Sequence, residues 1–122
     1  MRTFESRNVY SSYGAMHLLC QKIIDKYPKA MIMFMTPLHR INENSEINEM
    51  GIRNVVSLSE YVDIIKEVAR YYSLPVLDLY AVSGIQHEIG VIRKTYMPDE
   101  LHPNDAGAEI IAKCIMVFLK LL

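Results

Sequence analysis

The sequence predicts an α/β fold: part of a three-layer sandwich, with two parallel strands flanked by three main helices on both faces. Three observations predict it. Two short apolar runs, 30–35 and 75–80, read as strands. Three longer stretches repeat apolar residues at three- and four-residue steps, as amphipathic helices do. The order helix, strand, helix, strand, helix then makes the strands parallel, because a right-handed crossover through a helix returns the chain in the same direction.

The first helix is expected over 9–27, where Tyr13, Met16, Cys20, Ile23, Ile24 and Tyr27 share a face. Pro28 closes it, since the residue before a proline avoids helical geometry. Ala30-Met31-Ile32-Met33-Phe34-Met35 is apolar without alternation, as in a strand buried on both faces, and its methionines read as core. Thr36-Pro37 ends it, and a polar loop runs through 38–56. Ser57 and Glu60 match a capping box at the start of a second helix over 58–73, with Tyr61, Val62, Ile65, Val68, Ala69 and Tyr72 as its stripe. Pro75-Val76-Leu77-Asp78-Leu79-Tyr80 is the second strand, and 81–102 a second long loop. Asn104 suits the N-cap of the last helix, and Asp105 puts negative charge where the helix dipole favours it. Ala106, Ile110, Cys114, Val117, Phe118 and Leu121 form that helix's apolar side.

A chain of 122 residues that is 51% hydrophobic suffices for one domain, 1–122, with a core. Its net charge of -1 gives no electrostatic case for nucleic acid or an anionic membrane surface. No apolar run is long enough to cross a bilayer. The N-terminal residues are polar and lack the apolar core of a secretion signal. Cys20 and Cys114 make neither a disulfide framework nor a zinc spacing, and read as buried reduced thiols. These observations favour the cytoplasm.

In parallel sheets, ligands bind beyond the carboxyl ends of the strands. The loops leaving those ends carry His39, Arg40, Asp99 and His102. A histidine acting as a general base needs its ring held in one tautomer and its developing charge offset, and a carboxylate on one ring nitrogen does both. Asp99, three residues before His102, can turn back onto the imidazole; Glu100 is a substitute expected to point elsewhere. His39 and Arg40 are candidates for binding a substrate carbonyl or hydroxyls, against the blander reading of a solvated loop. No cofactor is expected, and no metal: Asp99, Glu100, His102 and Asp105 straddle a helix start and make a poor ligand set. Ser83, beside Gly84, lacks the elbow that exposes a nucleophile. His17 is expected at the edge of helix packing and His87 in a loop.

Asp99-x-x-His102-Pro103-Asn104-x-x-Gly107 resembles the last conserved block of the SGNH (GDSL-type) esterases and lipases. Lys26-Tyr27-Pro28-Lys29-Ala30 and the strand ending in Thr36-Pro37 resemble that family's fourth strand and its approach. The 75–80 strand resembles its fifth. The resemblance spans essentially the whole chain. It implies a partial flavodoxin-like sandwich, the C-terminal portion of an acylhydrolase that cleaves carboxylic esters. His102 would be the catalytic base and Asp99 the acid that orients it. The chain holds no Gly-Asp-Ser and no Gly-x-Ser-x-Gly. By the resemblance, the nucleophilic serine and the oxyanion-hole glycine and asparagine would all precede Met1. The isolated chain is then expected to be inactive, and to self-associate through its exposed sheet edge. The alternative is a non-catalytic interaction module that keeps the scaffold.

Overall fold

The computed structural model describes residues 12–44 and 57–122. Residues 9–11 of the expected first helix and 45–56 of the polar loop lie outside them. The chain is an α/β fold with two parallel strands, a partial sandwich as expected. Its elements are α1 (Ser12–Lys26), β1 (Phe34–Met35), α2 (Leu58–Tyr71), β2 (Val76–Leu77), α3 (Leu79–Val82), α4 (Gly90–Tyr96) and α5 (Asp105–Lys120). Phe34 pairs with Val76 and Met35 with Leu77. Among the described residues no helix is long and apolar enough to cross a membrane.

The core lies where α1 packs on α2. Cys20, Ile64 and Val68 are buried there, with Tyr13, Met16, Phe34, Tyr72 and Leu74 against them. Cys20 acts as a small hydrophobe, and burial pushes its thiol up from the ordinary value. Ser57 caps α2 by accepting from the Glu60 N–H. His17 departs from expectation: it is buried rather than at the edge of packing. Its Nδ1 is hydrogen-bonded to the Tyr72 hydroxyl at 2.9 Å, and the rings of Tyr13, Tyr71 and Tyr72 stand edge-on around it. Tyrosines supply both apolar walls and a polar tip, which makes this burial tolerable.

Three expectations are corrected. The 30–35 strand shrinks to Phe34–Met35, and Met31 and Met35 are exposed rather than core. The ladder to β2 extends over just two residues, and β2 is the one strand beside β1 among the described residues. The 75–80 strand stops at Leu77 because Asp78 caps α3, its carboxylate accepting from the Ala81 N–H at 3.1 Å. The 81–102 loop contains α4, whose N-cap residue Ile89 makes no side-chain capping bond and so leaves no mark in the sequence.

Helix α5 carries a wide apolar surface, yet only Gly107 is buried in it. Val117 and Leu121 stand exposed beside a groove of about 530 Å³ between α5 and β2. The start of α5 is tightly held. Asn104 Oδ1 accepts from the Gly107 N–H, while Asn104 N and Nδ2 donate to the last carbonyls of α4, at Tyr96 and Thr95. One residue thus caps one helix and ends another. Gly107 permits this approach, since a Cβ there would lie 2.7 Å from the Tyr96 carbonyl oxygen and 2.9 Å from Pro103 Cβ. Gly107→Ala should therefore lower unfolding free energy in urea by about 1–3 kcal/mol, the usual cost of overpacking against atoms that cannot yield.

Candidate active site

The rim is built on the two strand ends. Thr36, buried just past β1, donates its N–H to Leu77 O at 3.0 Å. Its hydroxyl donates to Asp78 Oδ1 at 3.1 Å and accepts from the Tyr80 N–H at 3.0 Å. Asp78 Oδ2 pairs with Lys66 at 3.0 Å. Burial pushes the Asp78 carboxyl up, but the bonds from Lys66, the Ala81 N–H and Thr36 outweigh it and hold it below the ordinary value. The chain leaving β1 and the chain leaving β2 are thereby fixed side by side. Further out, the Ile41 N–H donates to Glu100 O at 2.8 Å, which joins the His39 loop to the loop of Asp99 and His102.

Asp99 and His102 meet as the sequence predicts. His102 Nδ1 lies 2.9 Å from Asp99 Oδ2. The other oxygen, Oδ1, accepts from the backbone N–H groups of Leu101 (2.9 Å) and His102 (2.6 Å). These backbone bonds, and then the imidazole, lower the Asp99 carboxyl to about 2. An ionised carboxylate only accepts hydrogen bonds, so the shared proton belongs to Nδ1 and the neutral ring presents Nε2 as an acceptor. The turn requires Glu100 at φ +65°, in the left-handed region. Arg93 anchors it, bonding Glu100 at 3.3 Å and the His87 carbonyl at 3.1 Å. Glu100 therefore points away from His102, as expected. The dyad is open to solvent, with side-chain exposures of 73% for His102 and 56% for Asp99.

His39 is not directed at this dyad by any contact among the described residues. It belongs to a second cluster that the sequence did not disclose. His39 Nδ1 lies 2.9 Å from Glu43 Oε1, and the ring stacks on Tyr80 with centroids 3.7 Å apart. Arg40 takes part through its backbone, whose N–H donates to Glu43 Oε2 at 3.0 Å. Burial, and then the Glu43 charge, push the Tyr80 phenol above its ordinary value. The four-residue step from His39 to Glu43 was a visible clue, whereas Tyr80 arrives through the fold. Ser83 is buried, its oxygen accepting from the Ile85 N–H at 3.1 Å. His87 is a loop residue as expected, but buried.

No known family model and no curated protein matches this sequence. Solved structures do. One crystal structure is 33% identical, superposes with a TM-score of 0.82, and is matched by 100% of this chain over 57% of its own length. A protein from Lactobacillus plantarum is 26% identical with a TM-score of 0.81, over 98% of this chain and 58% of the other. The esterase domain of the ZfL2-1 ORF1 protein, from a zebrafish retrotransposon, shares the fold with a TM-score of 0.59 at 19% identity, over 89% of this chain and 57% of its own. The chain thus spans less than three-fifths of each of these structures.

The turn has a pH signature. The Asp99 pKa is lower folded (about 2) than its ordinary value of 3.8, so its contribution to stability is present above pH ~4 and lost as pH falls through 2. The Asp99 carboxyl carbon, followed by NMR, should titrate near pH 2. A midpoint at the ordinary carboxylate value would mean that the turn is not formed in solution.

Proposed function

We propose that this chain is the C-terminal portion of an SGNH-type esterase and supplies the acid–base dyad of a serine triad. The observation that carries the reading is the Asp99–His102 pair, closed at 2.9 Å on the rim beyond the strand ends. The shared fold of an esterase domain supports it. In this reading His102 Nε2 takes the proton of a serine hydroxyl as that oxygen attacks the ester carbonyl. Asp99 offsets the charge that develops on the ring, and the same proton passes to the departing alcohol. The serine and the oxyanion donors come from polypeptide corresponding to the part of the solved structures that this chain does not match.

Removing the nucleophile of a serine triad costs on the order of 10⁶ in turnover. The isolated chain should therefore hydrolyse nitrophenyl acetate no faster than free imidazole does. Fusion to the unmatched part of the Lactobacillus plantarum protein should create ester hydrolysis that His102→Ala abolishes. A folded chimera inert towards a panel of nitrophenyl esters would overturn the reading.

We propose further that the uncovered apolar surface makes the isolated chain self-associate. Met35 on β1 and Val117 and Leu121 on α5 are exposed, and each large apolar side chain left in water forfeits ~1.5–3 kcal/mol. A symmetric dimer that extends the sheet at the edge of β1 left unpaired among the described residues covers part of this surface. Sedimentation at micromolar concentration should report twice the mass of the chain. A monomer that unfolds cooperatively would contradict it.

A further inference from the structure

The second imidazole on the rim is more thoroughly built than the first. The side chains of His39 and Glu43 are 18% and 9% exposed, against 73% and 56% for His102 and Asp99. The His39 ring is fixed twice. Its edge bonds Glu43 through Nδ1, at 2.9 Å to one oxygen and 3.0 Å to the other. Its face lies on Tyr80, inclined by 26°. Glu43 is fixed in turn by the Arg40 N–H and, at 3.5 Å, by the Tyr80 hydroxyl. The Arg40 N–H bond already ties Glu43 into the 39–43 turn. The stacked ring is surplus to that task, and it leaves one polar atom uncommitted. His39 Nε2 has no partner among the described residues and is not sealed in the interior.

We propose that His39, Glu43 and Tyr80 form a ligand subsite, in which His39 Nε2 accepts a hydrogen bond from a hydroxyl group of a hydroxylated ligand. The polarity follows from the proton count. With Glu43 accepting from Nδ1–H, the neutral form of the ring offers a lone pair at Nε2 and selects a donor. An ester carbonyl has no donor, so this subsite does not hold the reacting group. A free hydroxyl on the alcohol part of the ester fits. The Ile41–Glu100 bond joins the loop that carries this subsite to the loop of His102. The proposal deepens the esterase reading, naming the kind of alcohol, and rests on it for the ester itself.

The test is NMR on the full 122-residue chain, reading the His39 Nε2 resonance and the Arg40 amide. The probes are glycerol monoacetate, ethyl acetate without a free hydroxyl, and sodium acetate. Glycerol monoacetate should shift both signals saturably, and ethyl acetate should bind about tenfold more weakly, as loss of one hydrogen bond implies. His39→Phe keeps a stacked ring without Nε2. Read at the Arg40 amide, it should lose the same factor, and Tyr80→Leu should weaken binding by freeing the ring. Equal responses to both esters, a response to acetate alone, or no response at His39 would each overturn the subsite. A shift at His102 without one at His39 would sink the subsite and leave the esterase reading standing. A hydroxyl-dependent shift at His39, beside a folded but inert chimera, would uphold the subsite and count against the esterase.

Discussion

Thr36 is the point on which the rest of the rim depends. Its backbone extends the ladder past β1 to Leu77, and its hydroxyl bridges Asp78 and the Tyr80 N–H. The two strands contribute only two residue pairs, too few to define a sheet by themselves. The bonds of one buried threonine therefore do much of the work of aligning the strand ends. Because the strands are parallel, both outgoing loops leave on the same side. A chemistry shared between the 36–44 and 97–104 segments is possible only under that condition.

The two imidazole–carboxylate pairs reach their geometry by different routes. Asp99 and His102 are held by local backbone: two N–H groups on one carboxylate oxygen, with Glu100 in the left-handed region. Such a turn forms with little help from the rest of the chain, though Arg93, the Ile41 N–H and the Asn104 junction between α4 and α5 fix where it sits. His39 and Glu43 are also near in sequence, but their order depends on Tyr80, which comes from beyond β2. That pair is half-buried, with the chain leaving β2 lying over it. The open pair suits a group that must hand a proton to a partner, and the half-buried pair suits one that must hold a fixed direction.

The apolar side of α5 has a bearing on stability as well as on partners. A helix with Met116, Val117, Leu119 and Leu121 exposed is not at rest in water, and patches of this kind mark surfaces that something covers. The chain matches less than three-fifths of each solved structure that shares its fold. The groove beside β2 lies where a further layer of such a sandwich can pack, and the edge of β1 that no strand pairs with among the described residues lies where a further strand can.

The sequence by itself determined the three main helices, their caps at Ser57 and Asn104, the parallel order of the strands, and the meeting of Asp99 with His102. All of these are set by contacts within a few residues or by chirality, which periodicity and spacing record. Strand lengths, the short helices α3 and α4, the burial of His17 and the stacking of Tyr80 on His39 were decided only by the tertiary structure. A strand extends only as far as its neighbour pairs with it. His17 is buried only because Tyr71 and Tyr72, distant in the chain, join Tyr13 around it. Neither condition is written in the residues next to it along the chain.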